Sequence, residues 1–204
     1  MYVPQHFKMT DNETLYDVID KYGFATFISV QGGMPVVSHI PLLLEKNTAG
    51  RMQLIGHFAR ANDHWKLCDG QLTAVAIFHG VHDYISPRWY KTSGLVPTWN
   101  YIAVHVTGTA HIVENQTRTI DILNKLTSVY ETGAKKPWVL DDIDDAKLLS
   151  LLKGIVAFEM PIDQIEGKFK LSQNRTVDDR IGVINGLKDK GDDMALELAS
   201  RIEQ

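Results

Sequence analysis

Nine residues hold the densest chemistry of this chain: His57-Phe58-Ala59-Arg60-Ala61-Asn62-Asp63-His64-Trp65. The stretch follows the apolar run 52–56 and precedes a second one, 73–78. A cationic, aromatic insert between two strand-like runs suits an anionic, flat ligand. Toward a phosphate monoester, Arg60 offers a bidentate fork and Asn62 an amide, with His57 and His64 as further donors. Backbone N–H groups at the start of a short helix add to these. Trp65 is free to pack inward. The same residues also describe a surface turn anchored on a core tryptophan, and residue types alone leave the two readings level.

Two further stretches can serve such a ligand. Residues 84–101 contain Tyr84, Trp89, Tyr90, Trp99 and Tyr101, flat walls for a planar ring, with Asn100 able to reach its edge. A dimer interface uses the same residue types. Residues 168–175, Lys-Phe-Lys-Leu-Ser-Gln-Asn-Arg, combine three cations with neutral hydrogen-bonding groups and can close an anionic site; a solvated loop is the commoner fate of such a run. His79 and His82 are three apart, too few for zinc, and no Cys cluster or His-Glu-x-x-His motif accompanies them, so no metal is expected. His39, His105 and His111 fall in strand-like runs, where structural histidines predominate. No Gly-x-Ser-x-Gly or P-loop is present, and Gly182 and Gly186 are too isolated for a nucleotide loop. Cys68 has no basic partner nearby and reads as a buried thiol.

The elements that must position these groups follow from the pattern. Thr10-Asp11-Asn12-Glu13 predicts a capping box, with Thr10 bonding forward, for a helix over 13–22 that Gly23 stops in a left-handed turn. Strands are predicted over 24–30, 36–44 and 51–58, joined by turns at 31–35 and 47–50; Pro41 marks a bulge or an edge. Residues 60–69 suit one or two helical turns and 71–78 a buried strand. A long loop is expected from Gly80 to Pro97, then a strand over 102–113 with Ile102, Val104 and Val106 on one side. Helices follow from Gln116 to Gly133 and over 144–153, a strand over 155–160 ended by Pro161, and two closing helices near 177–187 and 192–203. Strands first and helices later predict an α+β fold, mainly β, built as a β-barrel with helical decoration.

Composition sets the outer bounds. The chain has 204 residues, 44% of them hydrophobic and 23% charged, enough for a real core. A net charge of −4 argues against a dedicated DNA surface. The single cysteine permits no internal disulfide and fits a reducing compartment. No leader pattern and no membrane-length apolar run is seen, so a soluble, cytoplasmic protein is expected.

Five stretches, in order, resemble the PaiB family of FMN-binding proteins, described as negative transcriptional regulators: 1–7, 57–65, 84–90, 96–101 and 170–175. One departure is Asp63, where the family often has proline. The resemblance implies a six-stranded antiparallel FMN-binding split barrel over 1–175, with 176–204 as a C-terminal helical extension. It implies FMN as cofactor and a homodimer with flavins at the subunit interface. It places Ser38, His39, Ile40 and Pro41 beside the flavin, offering backbone groups. His57, Arg60, Asn62, His64 and Trp65 would hold the ribityl phosphate, Arg60 and Asn62 foremost. Trp99, Asn100 and Tyr101 would come from the partner subunit, and Lys170, Ser172, Gln173 and Arg175 would close over the site. The functions that follow are a regulator, an FMN-dependent oxidoreductase related to flavin reductases or pyridoxamine-phosphate oxidases, or a haem-binding split barrel. In the second, Tyr84, His39 or Lys170 could donate a proton. DNA contact follows from the family description and not from the charge.

Overall fold

The computed structural model describes residues 1–203 and arranges them as seven strands and five helices. The first strand, β1, is only Lys8–Met9, and helix α1, Asn12–Lys21, follows. Asp11 caps this helix instead of Thr10: its Oδ2 accepts from Thr14 N at 2.8 Å and from Thr14 Oγ1 at 2.6 Å. A carboxylate one residue nearer the helix reaches its free N–H groups first, so the expected capping box does not form. Gly23 does not take the expected left-handed turn. It is required for space: a Cβ there would lie 2.7 Å from Tyr130 Oη and 3.1 Å from Leu42 O.

Strands β2, Phe24–Gln31, and β3, Met34–Lys46, form the expected hairpin. Its turn has Gly32 at φ 58° and Gly33 at φ 82°, the two positive values of a type I′ turn. β4 spans Met52–Ala59, β5 Asp69–Ile85 and β6 Thr98–Ile112. Helices α2, Gln116–Tyr130, and α3, Asp145–Leu152, precede β7, Ile155–Lys170. Helices α4, Val177–Lys190, and α5, Asp193–Glu203, come last. Strand order is β1-β7-β4-β3-β2-β5-β6, and β7 also pairs with β6. The pairings of β2 to β7 thus close on themselves, the six strands expected of a split barrel, with β1 added on β7.

Two strands run well past the ends that the sequence predicts for them. β5 runs through Gly80 to Ile85. Gly80 is not a strand end; it lets β6 approach, since a Cβ would lie 3.0 Å from that of Ile102. β7 runs through Pro161, which pairs with Gln53 at the end of the β4 ladder. A proline is tolerated where no further ladder bond is asked of its nitrogen. The loop expected over 80–97 shrinks accordingly, and holds a short 3-10 turn at Pro87–Trp89.

Contacts divide the chain into two compact units. One comprises Ile19–Phe78 and Val106–Ile165. Its core joins Phe27, Phe58 and Phe158, and α2 is seated by Leu43, Ile55, Ile122, Leu126 and Ala157. Arg118 on α2 meets Glu45, Asp121 and Glu159, and Lys125 meets Glu45 and Asp121. The other unit comprises Met1–Val18, His79–His105 and the described residues from Glu166 on. There α4 lies against Trp89 through two glycines. A Cβ on Gly182 would sit 1.9 Å from Trp89 O, and one on Gly186 2.3 Å from its ring. Gly191, at φ 76°, ends α4. Among the described residues no helix is long and apolar enough to cross a membrane.

Candidate functional site

The edge of β3 is the starting point. Its ladder with β4 runs only from Leu42 to Lys46, whereas its ladder with β2 runs from Met34 to Pro41. From Val36 to Pro41 the strand therefore meets β2 on one edge, and the 57–65 insert comes to its side chains. Asn62 Nδ2 donates to Ser38 Oγ at 2.9 Å, and Ser38 Oγ lies 2.9 Å from His64 Nδ1. His64 is 2% exposed, with ring centroids 5.3 Å from Phe27 and 5.2 Å from Phe58. Its Nε2 has no hydrogen-bond partner. With Ser38 donating to Nδ1, the proton sits on Nε2, where an N–H can face aromatic rings. Burial holds His64 below the usual histidine pKa, so the ring is neutral at pH 7. Asn62 also caps the 3-10 turn Asp63–Leu67, its Oδ1 accepting from His64 N at 3.2 Å.

Ser38, Asn62 and His64 are thus brought together. Ser38 and Ile40 face inward, while His39 is exposed, its Nδ1 3.2 Å from Thr26 Oγ1. Pro41 closes the β2 ladder opposite Phe24, which places this proline at the edge position its sequence suggested. His57 pairs with Ala157 on β7; its Nδ1 is buried without a partner, and burial holds its pKa down. Arg60 is engaged in an unforeseen way. Its Nε donates to Lys153 O at 2.8 Å and its Nη2 to Ile155 O at 2.9 Å, leaving Nη1 as the free arm of the fork. Trp65 does not enter the core. Its Nε1 donates to Arg60 O at 3.0 Å, and its ring lies 5.8 Å from the Arg60 guanidinium. Arg60 and Trp65 border a cavity of about 610 Å³ whose other walls include Ile112, Leu149, Leu152 and Ile155. Cys68 is the buried thiol expected, its pKa pushed up to about 12 by burial and by Asp69.

The other predicted residues gather in the second unit. Asn100 Nδ2 donates to Ser172 Oγ at 2.8 Å. Lys170 Nζ bonds Thr98 Oγ1. Arg175 stacks 5.1 Å over the Tyr90 ring, and Tyr101 receives Lys168 at 5.2 Å. Trp99 is exposed and packs edge-on to Tyr84 at 6.1 Å. Gln173 spends its amide locally: Nε2 donates to Phe169 O and Oε1 accepts from Leu171 N. Thr98 also belongs to this cluster, together with Tyr90, expected as an aromatic wall, and Lys168, expected within the cationic run. No sequence signal links Thr98 to the cationic run, since its contact with Lys170 spans 72 residues.

The sequence and the fold agree with known proteins. The model of the family described as "Putative FMN-binding domain" matches residues 1–164. The Bacillus subtilis "Protease synthase and sporulation protein PAI 2" is 34% identical over 203 residues, covering 100% of this chain and 97% of the relative. An uncharacterized protein of Emericella nidulans is 31% identical, covering 82% of this chain and 80% of its own. Among solved structures, the FAD and heme binding protein from Mycobacterium smegmatis superposes with a TM-score of 0.63 at 18% identity. It covers 86% of this chain and 78% of that one, a likeness of fold. A closed ladder of six strands, the open β3 edge and a full-length relative lead to one conclusion: the chain belongs to the PaiB family of FMN-binding-domain proteins.

Proposed function

We propose that the chain is a homodimeric, cytoplasmic flavoprotein that binds FMN along the open edge of β3. The carrying observation is that edge, where Ser38–Pro41 lacks a β4 partner and the insert is locked to it through Asn62, Ser38 and His64. Backbone groups of an unpaired strand edge suit the polar rim of an isoalloxazine ring. The free Nη1 of Arg60, pre-oriented by its two carbonyl bonds, suits a phosphate. Bound FMN supplies the redox chemistry; the chain supplies orientation and a fixed electrostatic surround.

The dimer reading rests on one sheet face. Phe24, Ile28 and Val30 on β2 stand opposite Pro41, Val37 and Pro35 on β3. Phe24 is 68% exposed, Val30 52% and Val37 50%. An exposed apolar patch of this kind marks an association surface. Regulation, the role in which the family is described, is assigned to a partner or a small molecule, because a net charge of −4 argues against a dedicated DNA surface.

The visible spectrum of the isolated protein tests the cofactor: flavin bands, with FMN released on denaturation, are expected. A colourless protein that takes up no added FMN would sink the reading. Bleaching of the loaded protein by NADH or NADPH would move it to the oxidoreductases. A gel shift at physiological salt checks the absence of direct promoter binding.

A further inference from the structure

Helix α3 is apolar and yet barely packed. Four of its eight residues are leucines, Leu148, Leu149, Leu151 and Leu152, behind an Asp144 cap whose Oδ1 accepts from Lys147 N at 3.0 Å. A helix this short has little stability of its own and depends on burying its apolar side. None of its residues is buried, and Leu149 and Leu151 are 46% and 48% exposed. The reason is the space beside it. A crevice of about 180 Å³ separates α3 from α2, walled by Leu123, Leu148, Leu152 and Ile155 and flanked by Trp138 and Leu140. Apart from the Trp138 indole, Thr127 brings the single polar side chain that lines it. Space of about 150 Å³ with such walls stays dry and admits a benzene-sized molecule.

The crevice adjoins a second hollow of about 460 Å³, which shares Thr127, Trp138 and Leu140 with it. There the lining turns polar. Asn124, Ser128 and Glu131 come from one stripe of α2 and its C-cap, at the i, i+4 and i+7 positions. Asp141 joins them from the 3-10 turn Leu140–Asp142. Glu131 Oε2 accepts from Trp138 N at 3.0 Å, which ties this carboxylate to the tryptophan of the crevice. Among the described residues neither Glu131 nor Asp141 has a cation within ion-pair distance, and Lys135 and Lys136, in the intervening turn, pair with neither. Glu131 also stands at the C-terminus of α2, where the free carbonyls already carry negative partial charge. A carboxylate there repels its own helix end and suits a cation. An apolar crevice behind an acidic mouth complements a molecule that is apolar at one end and positive at the other.

We propose that the crevice between α2 and α3 binds a small hydrophobic amine. Its phenyl-sized body lies among Leu123, Leu148, Leu152 and Ile155, beside Trp138. Its ammonium stays in the solvent-open mouth with Glu131 and Asp141. Filling the crevice completes the burial of Leu148 and Leu152, which are only half-buried without it. The site does not depend on the flavin reading. None of the residues given to the cofactor lines either hollow, and those that do all belong to the unit of Ile19–Phe78 and Val106–Ile165.

Calorimetric titration of the full chain tests this, before and after addition of FMN. Three probes are used: phenethylamine; phenylacetate, which keeps the ring and reverses the charge; and propylamine, which keeps the charge and lacks the ring. Phenethylamine is expected to bind about tenfold tighter than either, or more. Its affinity should be the same with and without FMN. Glu131→Gln should weaken it about fivefold, a modest loss because the mouth is open to water. Leu148→Trp should fill the crevice and abolish binding. Glu131→Gln is a change at the mouth alone and keeps the test alive should Leu148→Trp fail to fold. No heat with phenethylamine at millimolar concentration, equal binding of phenylacetate, or unchanged binding by Glu131→Gln overturns the proposal. Full binding by a folded Leu148→Trp, or displacement of the amine by FMN, overturns it too, by placing the amine elsewhere. A chain that binds phenethylamine and takes up no FMN loses the flavin reading and keeps this one.

Discussion

The insert on β4 and the turn after β7 are made from similar residues and have opposite economies. In the insert, Arg60 and Asn62 spend most of their hydrogen-bonding capacity on Lys153, Ile155, Ser38 and the turn itself, and the unpaired buried atoms are ring nitrogens, His57 Nδ1 and His64 Nε2. In the turn after β7, Lys170, Arg175 and Asn100 keep theirs, and two buried oxygens stay unpaired. Saturated groups stabilise a frame; unsaturated, buried ones cost stability and are available to a ligand. The difference teaches that residue types which look equally ligand-seeking in sequence divide by what the fold already asks of them.

The sharpest way to break this contrast is His64→Ala. It empties a site beside Phe27 and Phe58 and strands Ser38, so a loss of about 2–4 kcal/mol is expected in urea denaturation. A loss near zero would mean the insert is not part of the frame. Arg60→Ala should weaken FMN by about 1.5–3 kcal/mol more than it weakens riboflavin, which lacks the phosphate. Equal losses would assign Arg60 wholly to Lys153 and Ile155. Asn62→Ala removes a cap and a bond to Ser38, at about 1–2 kcal/mol of stability by the same denaturation assay. Lys170→Met, by contrast, should leave stability within about 0.5 kcal/mol of the parent, or raise it, since the ammonium has no carboxylate partner.

The smallest effect is in pH. Burial holds His57 and His64 below their ordinary 6.5. The unfolded chain then binds protons first, so this stability is whole above pH 6.5 and is lost as pH falls through the folded values. Burial pushes Glu45 and Asp121 up, but bonds from Lys125 and Arg118 outweigh it and hold both low. Their contribution is lost further into acid. Lys170 acts at the other end: its folded pKa is depressed below 10.5, so its cost is present at neutral pH and lifts as pH rises through the folded value. Melting temperature against pH should therefore lose an alkaline rise in Lys170→Met and keep its acid fall.

Much of the barrel was legible. The Gly32-Gly33 hairpin, the inward Ile102, Val104 and Val106, and the buried Cys68 all follow from local chemistry, because turn geometry and alternation are written within a few residues, whereas 71–78, expected to be buried, buries only the face of Ala74, Ala76 and Phe78. The extensions of β5 and β7 were not. Gly80 and Pro161 look like terminators locally, and only their opposite strands show why they are tolerated. Gly182 and Gly186 have no local signature at all, since what they admit is Trp89 from a distant segment.

For the candidate sites the division is similar. Sequence alone determined the family, the strand-rich fold and the clustering of chemistry at 57–65 and 168–175, since these depend on residue identity and short spacing. Only tertiary structure decided which donors are free. Arg60 meets carbonyls more than ninety residues away, at Lys153 and Ile155. Lys170 meets a hydroxyl 72 residues before it and no acid. Capacity left for a ligand is total capacity minus what long-range contacts consume, and those contacts exist only once the chain is folded.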